Sequence, residues 1–239
     1  LSTVTSIGEY AFSGDEYYVC RNRDMTEVVT TKEGHYKLMT NVVVTDRYTT
    51  TGDVTIDLNG FDITRNVAES ALSGPQVYTI SGKLTILDSS DAADGTVSIT
   101  VPEGKSINAF SAVIHAPEGN EFVLEGGIID GSNVDSVYVN ANNGTIAVGG
   151  KLTVNGGNFF GTEVNDYIIG NWGEVTVNDG FFMGIYNVLN NFAGKAAVYG
   201  GQFITDDTDY TGEYESYDLL GENITVYGGQ FSKAVDSAY

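Results

Sequence analysis

A nine-residue unit recurs along this chain, and a recurring unit constrains the fold more tightly than any composition does. It reads KLTVNGGNF at 151–159, EVTVNDGFF at 174–182, KAAVYGGQF at 195–203 and NITVYGGQF at 223–231. Weaker copies stand upstream: DVTIDLNGF at 53–61, KLTILDSSD at 83–91 and EFVLEGGII at 121–129. The shared pattern is apolar, usually Thr, apolar, polar, then Gly-Gly or Asp-Gly, then an aromatic. The matching positions Leu124, Val154, Val177, Val198 and Val226 are 30, 23, 21 and 28 residues apart. A coil of about 22 residues with loops of unequal length describes those steps. A helical array would keep a stricter period and a helical hydrophobic pattern.

Each unit is preceded by a second apolar run. The candidates are Val77–Ile80, Ala112–Ile114, Thr145–Val148, Tyr167–Ile169, Asn187–Leu189 and Tyr217–Leu220. A Gly or Asn follows within a few residues, and these types accept the backbone of a sharp corner. A third short strand is expected at the aromatic: Phe159-Phe160, Phe181-Phe182 and Phe203-Ile204. Three strands and three corners close one coil. The fold class read from this is all-β: a right-handed parallel β-helix, or β-solenoid, of about seven coils of three short strands, on the order of 35 Å long.

Stacked coils put like residues above one another. Leu152 and Val154 are expected to lie on Val175 and Val177, then Ala196 and Val198, then Ile224 and Val226. Phe159, Phe181, Phe203 and Phe231 are expected to form an aromatic stack at one corner. Residues 1–33 are read as an N-terminal cap or linker, and 34–239 as the repeat domain.

Residues 34–64, GHYKLMTNVVVTDRYTTTGDVTIDLNGFDIT, with GKLTILDSSDAADGTV at 82–97 and the GG-x-F units, carry a resemblance. They resemble pectate-lyase-like right-handed β-helix surface proteins of anaerobic Gram-positive bacteria. That resemblance implies an adhesin-like protein, secreted or at the cell surface. Residues 1–14, LSTVTSIGEYAFSG, resemble one BspA-type leucine-rich repeat. The usual Cys of that repeat is Asp15 here and no second repeat follows. The segment is therefore either the tail of a longer array or a capping strand.

Charge excludes whole classes of partner. The chain has 11 Lys plus Arg against 32 Asp plus Glu, a net of −21. Nucleic acid and anionic membrane surfaces both want the opposite sign. No apolar run reaches the length of a membrane span. Cys20 is the only cysteine, so no internal disulfide and no Cys-built zinc site is expected.

The fold hosts pectin-degrading enzymes, so catalysis was weighed. Pectate lyases, as the resemblance implies, use acids to hold calcium and Arg as base. No Arg follows Arg65 here, and from residue 66 onward 5 Lys face 22 Asp plus Glu. Neither His35 nor His115 sits in the Gly-His-Gly of polygalacturonase-like hydrolases. No catalytic residue is nominated, and the chain is expected to be a non-catalytic structural or adhesive module. The alternative is a carbohydrate-binding or polysaccharide-degrading β-helix.

The candidate sites follow from that. Segment 204–218 holds Asp206, Asp207 and Asp209 and is either a calcium site or a solvated acidic loop. Calcium there is the one cofactor entertained. Two further acidic sets, Asp88, Asp91, Asp94 and Glu118, Glu121, Glu125, carry the same pair of readings. An outward Thr file (Thr55, Thr85, Thr153, Thr176, Thr225) runs beside Asn155, Asn178, Tyr199 and Tyr227. Those four, with Trp172 at a corner, are the ligand-binding candidates. Ordinary strand propensity is the competing explanation. The expected partners are the chain itself, by end-to-end strand pairing, or surface glycans and proteins.

Overall fold

The computed structural model describes residues 33–68, 77–102, 112–131, 150–161, 167–185, 187–206 and 215–235, with the backbone of two further strands, Tyr18–Val19 and Asp135–Asn140. Every regular element among them is a strand, and every pairing is parallel.

The strands fall into three sheets. Sheet 1 has nine: Tyr18–Val19, Gly34–Lys37, Gly52–Asp57, Gly82–Leu87, Glu121–Leu124, Lys151–Val154, Glu174–Val177, Lys195–Val198 and Ile224–Val226. Sheet 2 has eight: Val42–Val44, Ile63–Asn66, Thr96–Thr100, Ile128–Gly131, Asn158–Gly161, Phe181–Gly184, Gln202–Thr205 and Gln230–Phe231. Sheet 3 has seven: Tyr48–Thr49, Tyr78–Thr79, Ala112–Pro117, Asp135–Asn140, Ile169–Asn171, Asn187–Asn191 and Tyr217–Gly221. From Gly34 on, the chain visits sheets 1, 2 and 3 in turn and then starts again one rung higher. This wiring is consistent with a β-solenoid.

The repeat units pair in the register that the sequence alignment implies. Val54, Leu84, Phe122, Leu152, Val175, Ala196 and Ile224 form one inward column. Ile56, Ile86, Leu124, Val154, Val177, Val198 and Val226 form the next. All but the half-buried Val226 are fully enclosed, in one continuous apolar cluster. Each such side chain contributes about 1.5–3 kcal/mol of transfer free energy, which is why a slip by one residue is excluded.

The aromatic stack exists, but its second rung is Phe182, not Phe181. Rings of Phe159, Phe182, Phe203 and Phe231 lie 4.9, 4.7 and 5.0 Å apart and close to parallel. Alternation along a strand decides between the two neighbours. Phe181 pairs with Asn158 and Gln202 and takes the outward position, while Phe182 pairs with Phe159 and Phe203. The expected strand at 145–148 lies outside the described residues; the sheet 3 member in that turn is Asp135–Asn140. Residues 1–14 and Cys20 also lie outside them.

The Gly-Gly corner has a steric cause. A Cβ on Gly200 would stand 2.5 Å from the Asn178 carbonyl oxygen of the coil below. The next residue, Gly201, has φ +99°, a conformation that side chains resist. Sheet 1 thus turns into sheet 2 by bringing backbone against backbone.

Tyr78 is fully buried, and its hydroxyl has no hydrogen-bond partner among the described residues. Tyr78→Phe should therefore raise stability by about 1 kcal/mol, or about 2–4 °C in Tm, measured by thermal unfolding.

Candidate functional site

In-register stacking turns each outward strand position into a ladder running along the molecule. Sheet 1 carries three ladders on its outer face. At the strand starts, Asp53, Lys83, Glu121, Lys151, Glu174 and Lys195 alternate in sign rung by rung. Glu121 pairs with both Lys83 (3.8 Å) and Lys151 (3.3 Å), and Glu174 with Lys195 (3.1 Å). These partly exposed pairs contribute little energy each. A slip by one rung would set like charges opposite one another, so they favour this register. The middle ladder is the expected Thr file, interrupted by Val123 and Ala197.

The third ladder holds four of the ligand candidates. Glu125, Asn155, Asn178, Tyr199 and Tyr227 each follow the last paired residue of their strands. Asn178 Nδ2 donates to Asn155 Oδ1 (2.7 Å), and Asn155 Nδ2 donates to Glu125 Oε1 (2.9 Å). Tyr199 and Tyr227 stack with ring centroids 4.6 Å apart and planes 5° apart. They remain 52% and 66% exposed, the two most solvent-open tyrosines of the described residues. Stacked this way, their ring edges and hydroxyls face outward while their inner faces cover each other.

One residue further on lies a trough of about 630 Å³. Gly156, Gly157, Gly180, Gly200, Gly201 and Gly229 make its floor. Asn158, Phe181, Gln202 and Gln230, one register column, make its far wall. Asp179 is the only ionisable residue in the lining. Hydrolysis of a glycosidic bond takes two opposed carboxyl groups, and this lining supplies one.

Trp172 is not part of this constellation. It precedes strand Glu174–Val177, whereas Asn178 follows it, so the two lie at opposite ends of one strand. Trp172 stacks on Phe192 (4.2 Å, 11°), and Tyr167 meets both edge-on. Phe192 is 45% exposed while Tyr167 is buried. The cluster shields the corner between sheets 3 and 1.

Beneath that cluster lies a pair that the motif reading passed over. Asn171 and Asn191 are buried in adjacent rungs. Asn171 Nδ2 donates to Asn191 Oδ1 (2.5 Å) and to the Lys195 carbonyl (3.0 Å), and its Oδ1 accepts from Gly173 N–H (2.8 Å). Asn191 Nδ2 donates to the carbonyls of Gly194 and Glu222. The signal lay in Asn171-Trp172-Gly173 and Asn191-Phe192-Ala193-Gly194, an Asn one residue before each corner aromatic.

The acidic sets resolve differently. Asp207 and Asp209 lie outside the described residues. The Asp206 amide donates to the Gly184 carbonyl (2.8 Å), continuing the sheet 2 ladder. Asp218, at the other end of that acidic segment, is buried and accepts from Thr205 Oγ1, Ser232 Oγ and Lys233 N–H. Asp88 accepts the amides of Gly60, Ser90 and Gly95 and ties a corner. Among the described residues no three His, Cys, Asp or Glu converge as a metal site would require. No helix among them is long and apolar enough to cross a membrane.

No family model, curated protein or solved structure matches this chain. The site is therefore read on its own chemistry.

Among the described residues, His115 and Asp88 titrate below their ordinary values and contribute to the acid response. Burial first, then the Arg47 charge, lower the His115 pKa from 6.5 to about 4. The unfolded chain takes up a proton near pH 6.5 that the folded chain refuses until about pH 4. Stability is thus full above pH 6.5 and falls as pH drops to about 4. The loss is at most about 3 kcal/mol, at about 1.4 kcal/mol per pH unit. For Asp88, burial raises the pKa, but the hydrogen bonds from Ser90, Gly95 and Gly60 outweigh it and hold it below 3.8. Its contribution is lost only as pH falls below that value. Urea unfolding at pH 7, 5 and 3 checks both; His115→Gln should remove the first loss and keep the second.

Proposed function

We propose that this chain is a right-handed parallel β-helix of about seven coils of three short strands, acting as a non-catalytic structural and adhesive module outside the cell or on its surface, and associating end to end. Right-handed crossover is the rule for parallel strands joined within one sheet. Residues 1–33 serve as its N-terminal cap or linker, with Tyr18–Val19 already paired onto Tyr36–Lys37. The resemblance of segments 34–64 and 82–97 to adhesin-like surface proteins supports the location.

One observation carries the association. Every ladder runs unbroken to the last rung, and among the described residues no strand pairs beyond Ile224–Val226, Gln230–Phe231 or Tyr217–Gly221. Among the described residues the last rung presents the backbone groups of an edge strand, with the half-buried Val226, Phe231 and Val235 packed against the core. Such an edge is a template for another strand. Sedimentation velocity across a hundredfold concentration range tests it. Wild type should form species larger than a monomer as concentration rises, and Val226→Lys should hold it monomeric. A wild-type chain that stays monomeric throughout would overturn the association.

A further inference from the structure

The glycine-floored trough at the corner of sheets 1 and 2 has features that select a ligand class. It crosses four successive rungs along the molecular axis, at about 4.8 Å per rung, so it suits a linear polymer lying lengthwise rather than a compact molecule. Its floor backbone is already engaged. Phe181 N–H donates to Gly157 O (2.9 Å), Gln202 N–H to Gly180 O (2.8 Å) and Gln230 N–H to Gly201 O (2.8 Å). A peptide seeking main-chain pairing finds those carbonyls taken. Recognition falls to side chains: Asn158, Gln202 and Gln230 amides in one column, each offering a donor and an acceptor. Gln202 and Gln230 are exposed. Steric demand explains the glycines, as shown for Gly200, but no packing requirement explains a file of outward amides. The phenols of Tyr199 and Tyr227 stand one or two residues before the floor.

Charge narrows the ligand further. A chain of net −21 repels polyanions, and the lining itself contains Asp179 and no cation. Amides, phenol edges, an apolar Phe181 and a floor with one acid and no cation match a hydroxyl-rich, neutral chain.

We infer that this trough binds a neutral linear polysaccharide along the solenoid axis, with Gln202 and Gln230 as its principal hydrogen-bonding side chains. The inference deepens the adhesive part of the reading above and rests on it; the trough meets the end-to-end contact only at its last rung, Gly229-Gln230.

The experiment is affinity electrophoresis of the full chain through gels containing soluble neutral β-glucan, β-mannan or xylan, with polygalacturonate as the anionic comparison. Wild type should be retarded by at least one neutral polymer and not by polygalacturonate. The double variant Gln202→Ala/Gln230→Ala should lose at least tenfold in affinity. Both positions are exposed; circular dichroism checks the fold, and because Gln230 lies in the last-rung strand, Gln202→Ala alone, away from that edge, should also weaken binding with sedimentation unchanged. Retardation unchanged in the double variant would overturn the trough and leave an adhesive surface elsewhere. No retardation by any neutral polymer, with association intact, would overturn the inference while the structural reading stands. Retardation by polygalacturonate alone would overturn it on charge.

Discussion

Phe182→Ala is expected to lower the unfolding free energy by about 4–5 kcal/mol, at the upper end of core aromatic truncations. Phe182 is enclosed and lies between two near-parallel rings, 4.9 Å from Phe159 and 4.7 Å from Phe203. Truncation removes its own transfer free energy and leaves two large rings facing a void. The stack cannot close over that void, because the rung spacing is held by the backbone ladders on either side. Phe181→Ala, one residue away, should cost less than about 1.5 kcal/mol, since that ring faces outward beside the trough. Urea unfolding of both variants against wild type measures the difference. Equal losses, or a larger loss at Phe181, would overturn the inward and outward assignment.

Asn171→Leu is the second large effect, at about 3–4 kcal/mol. The substitution is close in volume, so packing alone would predict little. The cost is polar: Gly173 N–H, the Lys195 carbonyl and Asn191 Oδ1 all lose a partner in a buried corner. Each buried group left unsatisfied costs about 1–3 kcal/mol. Asn171→Asp keeps the acceptor for Gly173 but sets a buried carboxylate oxygen against the Lys195 carbonyl and Asn191 Oδ1, so near neutral pH it should be no more stable than Leu. Thermal unfolding followed by circular dichroism ranks the three. A Leu variant as stable as wild type would show that the ladder is dispensable.

The two cases mark where the sequence was legible. Motif spacing identified the sheet 1 strands from Gly52–Asp57 onward, their register and the inward columns, but not Tyr18–Val19 or Gly34–Lys37, because a period-two apolar pattern repeated at a common phase leaves one way to bury it. The same spacing placed Asn155, Asn178, Tyr199 and Tyr227 in one outward file. It erred at Phe181, although the aligned unit 174–182 already puts Phe182 in the column of Phe159 and Phe203, because a Phe-Phe doublet satisfies the apolar pattern at both positions. It missed the alternating Lys and Glu ladder because the partners are 21 to 38 residues apart and each looks like an isolated surface charge.

Function divides along the same line. By itself, the sequence determined an all-β fold of stacked repeats, the net charge of −21, and the outward placement of the Asn and Tyr file. Those are consequences of local pattern and composition. Only the tertiary structure decided that Trp172 stands apart from that file, that Asp218 and Asp88 bind backbone and side chains of this chain, and that successive Gly-Gly corners merge into a trough walled by Asn158, Gln202 and Gln230. Such features come from stacking one coil on the next, and no single coil contains them.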